Sequence, residues 1–230
     1  MLQKRGLDLK RVVLLGRTLD EYRRFFGLDL EAWRGKAILD VGAGVSSFTA
    51  EGRAIGLDVT AFDKVYSAPA EQIRHRCEDD LEEVAREIGR KAVYRWNFYK
   101  TPEGMREFRT RAYRIFLKDL VENPKHYVAG ELPRTSFADG QFDLTLVSYL
   151  LFVYEEQLSY KFHKETLLEL LRITRGEIRV YPTVTFEAEA SKCLERVRSD
   201  PAFGECRFEI VATDFEFLRN SNCYLRITKK

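Results

Sequence analysis

The stretch AILDVGAGVSSF, residues 37–48, decides the fold. An apolar run reaches Asp40, Gly42 and Gly44 then alternate with small apolar residues, and Ser46 and Ser47 follow. A short apolar run ended by glycines fits a buried strand, because glycine lets the backbone turn sharply and approach a ligand closely. The pattern predicts a strand over Ala37 to Val41 and a helix over Ser47 to Ile55, with LDVTAFD (57–63) as a second strand ending in an acid. Strand, glycine turn, helix and strand together make one right-handed crossover unit of a parallel sheet.

Such a turn serves three ligand classes. A phosphate-binding loop needs Gly-Lys-Ser/Thr at the helix start, whereas this chain has Val45-Ser46-Ser47-Phe48 without a lysine, which excludes it. A dinucleotide fingerprint wants a third glycine where Ser47 stands and an acid on the next strand; Asp63 supplies the acid only, so an oxidoreductase stays open as an alternative. The third class is S-adenosylmethionine. Asp40 brings a carboxylate to the mouth of the first strand, and Asp63 is able to accept two hydrogen bonds from a ribose diol.

Around this unit the periodicity continues. Residues 18–34 read as helical, with Thr18 and Glu21 as a capping box and Leu19, Tyr22 and Phe26 on one face. Ile73, Cys77, Leu81, Val84 and Ile88 recur at helical spacing between Pro69 and Gly89. VYRWNFYK (93–100) follows, then a second stripe through Met105, Phe108, Tyr113, Phe116 and Leu120. Residues 67–125 are too long for an ordinary connection and predict a helical insertion, a lid within a single domain spanning 1–230. HYVAGEL (126–132) and FDLTLVSYLLF (142–152) are strands, the latter apolar on both faces as central parallel strands are. A helix through Leu167, Leu168 and Leu171 leads over Gly176 to EIRVYPTV; a last helix (186–198) precedes strands at 207–213 and 223–228. The sum is an α/β, doubly wound sheet whose ligands belong at the carboxyl ends of its strands.

Bulk properties narrow the class. Over 230 residues, 45% hydrophobic and 32% charged with a net charge of +2, the chain reads as globular and too balanced to argue for nucleic acid. Cys77, Cys193, Cys206 and Cys223 lack metal-ligand spacing, so reduced thiols and no metal are expected. MLQKRGLDLKR has no signal-peptide core, and no 18 apolar residues run together. A cytoplasmic protein without a membrane partner is the expectation.

The segment AGELPRTSFADGQFDLTLVSYLLF places Glu131 at the third strand's end and an Asp139-Gly140 turn before the fourth strand. On these residues the chain resembles the class I S-adenosylmethionine-dependent methyltransferases. DVGAGVS matches the first motif with serine at its third glycine, Asp63 is the acid of the second, and GELPRTSFADGQFD resembles the third. The C-terminal strand pair is similar to that superfamily's mostly parallel, Rossmann-like sheet with a reversed last strand. More narrowly, RTLDEY, DVGAGVSSFTAE, EEQLSYKFHKETLLELLRIT and EIRVYP resemble a little-characterised bacterial group, from about Arg17 to the C-terminus.

The resemblance implies S-adenosylmethionine as cofactor and a role for each matching residue. Gly42, Gly44 and Ser46 would line its methionine part, with Asp40 near the ammonium, directly or through water. Asp63 would hold the ribose hydroxyls, Lys64 and Val65 would flank the adenine, and Glu131 would accept the adenine amino group beside Leu132. Ser148 and Tyr149 would border the sulfonium, while Arg17 and Tyr22 close over the methionine end.

Methyl transfer needs mainly in-line approach in a shielded pocket, so no catalytic residue is assigned. His163 reads as a core or capping residue, Tyr149 as a pocket wall, and His75 and His126 as surface or packing residues. SYLLF at the fourth strand's tip disfavours exocyclic and amide nitrogen acceptors, which in this superfamily often pair with Asn/Asp-Pro-Pro-Tyr/Phe. Arg106, Arg109, Arg111 and Arg114, with the aromatics of 93–100, would suit RNA, or else form a solvated helix face beside the acids Glu78 to Glu83. Methyl transfer to a small molecule is therefore expected, with RNA methylation and cofactor binding without transfer as alternatives; the oligomeric state has no signature.

Overall fold

The computed structural model describes residues 4–230, so the first three residues of the leader expectation lie outside the described residues. Seven strands form one sheet: β1 (Ala37–Val41), β2 (Asp58–Asp63), β3 (Tyr127–Ala129), β4 (Phe142–Ser148), β5 (Thr174–Tyr181), β6 (Cys206–Ala212) and β7 (Cys223–Lys229). Their order is β3-β2-β1-β4-β5-β7-β6. Strands β1 to β5 pair in parallel, and β7 runs antiparallel to both β5 and β6. Because β1 and β4 are neighbours whose connections leave in opposite directions, a crevice opens beyond their carboxyl ends. Ile38, Leu39, Leu144 and Leu146 are fully buried, as strands covered on both faces require.

The helices are α1 (Leu19–Phe25), α2 (Phe48–Ala54), α3 (Ala70–Ile88), α4 (Pro102–Glu122), α5 (Tyr160–Ile173) and α6 (Lys192–Ser199). The expected capping box starts α1: Glu21 N donates to the Thr18 hydroxyl, and Thr18 N donates to the Glu21 carboxylate at 2.8 Å. The helix ends at Phe25, well short of residue 34, because Gly27 takes φ +55° and reverses the chain before a short 3-10 turn at Glu31–Trp33. The fourth strand stops at Ser148, where Tyr149 takes φ +50°. Gly176 lies inside β5, not before it. A Cβ there would lie 2.1 Å from the Asp143 carbonyl oxygen, at the irregularity in the β4–β5 register, so glycine is needed for the strands to close. The last helix begins at Lys192 with Ser191 as its cap, six residues later than its periodicity predicts.

Helices α3 and α4 occupy the connection between β2 and β3 and pack on each other. The aromatic segment between them is core: Tyr99 and Phe217 rings lie 4.7 Å apart, and Tyr94 bridges to Leu218 in the β6–β7 connection. Residues 4–18 have no regular structure and cross the molecule as a strap. A Cβ on Gly16 would sit 2.2 Å from the Val45 carbonyl oxygen, so the strap lies directly against the glycine turn.

Candidate functional site

The turn after β1 is built by positive φ at Gly42 (+64°) and Gly44 (+54°). Gly42 also meets Leu150 so closely that a Cβ would fall 2.5 Å from its methyl group. The turn is tied to β2 by the Gly42 amide, which donates to Phe62 O at 2.9 Å. Ser46 has a fixed task in this arrangement. Its hydroxyl donates to Arg17 O at 2.8 Å and accepts from Phe48 N at 3.1 Å, fastening the strap to the start of α2.

Asp63 closes β2 on the same side. One oxygen accepts the Gly44 amide and the other the Val65 amide, both at 2.9 Å, which leaves further lone pairs for a ligand. Burial pushes its pKa up, and the two amides oppose that shift. Lys64 and Glu131 face each other at 3.1 Å with both side chains exposed at the rim. Gly130 permits this approach of chain to strand, since a Cβ would lie 2.4 Å from the Phe62 ring.

These residues enclose one cavity of about 260 Å³, whose wall includes Arg17, Tyr22, Gly42, Gly44, Ser46, Asp63, Lys64, Glu131, Leu132, Ser148 and Tyr149. Asp40, expected near the ammonium directly or through water, is not part of that wall. It is fully buried behind Tyr22, whose hydroxyl lies 2.9 and 3.0 Å from its two carboxylate oxygens. Burial raises its pKa well above the ordinary carboxylate value, against the Tyr22 hydrogen bond. A raised folded pKa means that stability is full below the ordinary value of 3.8 and declines as pH rises towards the folded value. Asp40→Asn keeps an acceptor for Tyr22 and cannot ionise. The variant is expected to melt above wild type at about pH 8 and to converge with it near pH 4 in a pH series of thermal melts; a lower melting temperature throughout would refute the buried-acid account.

At the tip of β4, Ser148 Oγ is buried without a partner. Tyr149 is held at positive φ with its amide donating to Tyr181 O at 2.7 Å, and the Arg17 guanidinium covers its ring at 4.3 Å. Arg17 Nε makes no hydrogen bond and lies 3.9 Å from the Glu21 carboxylate. Beside it, Glu21 accepts from Arg109 at 2.5 and 3.1 Å and from the Tyr99 hydroxyl, all three groups being buried.

One part of the wall, the strap, has no counterpart in the sequence expectations, and a second comes from the segment 67–125 expected as a lid. The strap contributes Leu7, Leu9 and residues 12–15, held down by polar fastenings: Leu14 N donates to Asp80 at 2.7 Å, Val13 N to the Tyr154 hydroxyl at 3.2 Å, and Gln157 to Leu9 O at 2.6 Å. Between β2 and β3, Arg76, Val84, Ile88, Tyr94, Met105 and Arg109 face the cavity. Of the histidines, His163 is buried on α5 against Ser159 O at 2.9 Å, outside the wall. His75 pairs with Glu71 on the surface. The arginines of α4 are mostly engaged: Arg106 with Glu82, Arg109 with Glu21 and Arg111 with Glu51. Among the described residues no His, Cys, Asp and Glu side chains are grouped to hold a metal, and no helix is long and apolar enough to cross a membrane.

The uncharacterized protein MJ0045 of Methanocaldococcus jannaschii is 38% identical over 227 residues, covering 98% of this chain and 100% of that protein. This relative is archaeal, so the match does not support a group confined to bacteria. No family model matches the chain. Among solved structures, a putative S-adenosylmethionine-dependent methyltransferase of Methanococcus maripaludis aligns at a TM-score of 0.44 and 15% identity, over 92% of this chain and 83% of that one. An S-adenosylmethionine-dependent methyltransferase from Aquifex aeolicus gives 0.43 and 12%, over 91% and 94%. Magnesium protoporphyrin IX methyltransferase from Synechocystis PCC 6803, with bound S-adenosylmethionine, gives 0.48 and 11%, over 92% and 78%.

Proposed function

The chain belongs to the family of the uncharacterized Methanocaldococcus jannaschii protein, and we propose that it is a methyltransferase using S-adenosylmethionine on a small molecule. One observation carries this: a glycine turn and a half-buried acid at adjacent parallel strand ends open onto a cavity walled mostly with apolar residues. The residues present fit that cofactor. Gly42 and Gly44 give close backbone approach, Asp63 has acceptor capacity for a diol, and Ser148 Oγ and Arg17 Nε are buried polar atoms that make no hydrogen bond.

The bound cofactor supplies a methyl group on a sulfonium, which is reactive without metal or covalent help from the protein. Asp63 would hold the ribose hydroxyls, Lys64 and Val65 would flank the adenine, and Glu131 would accept its amino group beside Leu132. Gly42, Gly44 and Ser46 would line the methionine part, with Arg17 and Tyr22 above it and Asp40 acting through Tyr22. Ser148 and Tyr149 would border the reacting carbon. Burial raises the Tyr149 pKa, so its phenol stays neutral and serves as a wall and hydrogen-bond donor rather than a base. The strap and α3 exclude water, and orienting an acceptor in that shielded space is the main catalytic contribution.

The paired arginines of α4 and the inward-packed aromatics speak against RNA as acceptor. Isothermal titration should show S-adenosylhomocysteine binding in preference to NADH. Mixing the protein with RNA should give no affinity that falls steeply with salt. Preference for NADH overturns the cofactor assignment; salt-sensitive RNA binding overturns the small-molecule acceptor.

A further inference from the structure

The cavity continues past the glycine turn into an end that the cofactor roles leave unused. The strap passes from Leu14, whose methyl lies near Gly44, to Leu7, next to Gly6, which is packed on the Phe186 carbonyl. At that end the wall is Leu7, Leu9, Val84, Ile88, Phe186 and Leu218, with no charged side chain among them. Tyr94 stands in the same wall, positioned by its bridge to Leu218. Its hydroxyl is buried and has no hydrogen-bond partner. The Leu7 amide approaches its oxygen, but an amide N–H is a donor and leaves the phenol proton without an acceptor. A buried donor left unpaired costs about 1–3 kcal/mol, so its presence in an otherwise apolar wall points to a ligand that pairs it.

Building on the methyltransferase reading, we propose that this end is the acceptor subsite. It takes a mainly apolar molecule carrying one hydrogen-bond-accepting oxygen, and Tyr94 recognises that oxygen. The apolar wall supplies affinity without direction, and the single donor fixes orientation, so an analogue lacking the oxygen leaves Tyr94 unpaired and binds less well. A carboxylate or phosphate would lose its hydration among these apolar side chains.

The test compares 1-naphthaldehyde, which carries one carbonyl, with naphthalene, which carries none. Both are titrated into the full chain and into Tyr94→Phe by quenching of tryptophan fluorescence, with S-adenosylhomocysteine titrated separately by calorimetry. Wild type is expected to bind the aldehyde at least about five-fold more tightly than naphthalene, the ratio of one neutral hydrogen bond. Tyr94→Phe should bind both alike and keep its affinity for S-adenosylhomocysteine. The inference is overturned if wild type shows no preference, if the preference survives in Tyr94→Phe, or if neither probe binds while S-adenosylhomocysteine does. Probe preference without S-adenosylhomocysteine binding overturns the acceptor role through the cofactor reading beneath it, a pattern distinct from the others.

Discussion

Asp63→Ala should lower the affinity for S-adenosylhomocysteine by roughly 100-fold, measured by calorimetry at neutral pH. The carboxylate sits at the end of β2 with one lone pair on each oxygen already directed at the Gly44 and Val65 amides. A ribose diol would use the remaining acceptor capacity. A hydrogen bond to a charged acceptor contributes about 1.5–3 kcal/mol, so losing two removes at least about 3 kcal/mol, or two decades in affinity. Loosening of the turn adds to this, because both amides lose their acceptor. The pH dependence gives a second readout. Burial raises the Asp63 pKa, and the diol pairs with the charged form, so wild-type affinity should fall as pH is lowered through that raised value. Asp63→Ala should lack that decline. Wild-type affinity in the variant, or an unchanged pH profile, would remove Asp63 from the ribose role.

The segment around residues 37–63 was legible because its physics is local. A buried strand, two glycines at positive φ and an acid on the next strand are each written in residue type and spacing. Gly176 and the end of α1 were not, since the first depends on the Asp143 carbonyl across the sheet and the second on how Gly27 turns the chain. The strap shows the limit most clearly. Its leucines and valines, Leu7, Leu9 and the run 12–15 broken by charges, show no helical period, and their placement depends on Asp80 and Tyr154, which lie far along the chain. Asp40 follows the same rule: strand position brings it to the crevice, but Tyr22 from α1 decides that it lies behind the wall. Ser46, a departure from the motif in sequence terms, becomes intelligible once its bonds to Arg17 O and Phe48 N are seen.

The largest effect on stability is expected at Glu21. Its carboxylate is fully buried and receives Arg109, the Tyr99 hydroxyl and the Thr18 amide, while Arg109 also donates to Gly16 O at 2.5 Å. The cluster thus joins α1, α4 and the strap at the edge of the cavity. Glu21→Ala leaves the Arg109 charge buried without its partner, which costs about 3–5 kcal/mol, and it removes the capping box of α1 as well. For a chain of this length that corresponds to a drop in melting temperature of roughly 10 °C. Replacing both members with apolar residues, Glu21→Leu with Arg109→Met, should recover most of the loss, because no unpaired charge remains. Acid titration supplies the sign. Burial alone would raise the Glu21 pKa, but the charge and hydrogen bonds of Arg109 outweigh it and hold the carboxyl below the ordinary value of 4.5. Its stabilisation is therefore full above that value and is lost as pH falls through the folded pKa. Thermal melts of wild type and Glu21→Ala should differ most at neutral pH and draw together below about pH 4.5. A constant difference across that range would show that packing, and not the ion pair, makes Glu21 indispensable.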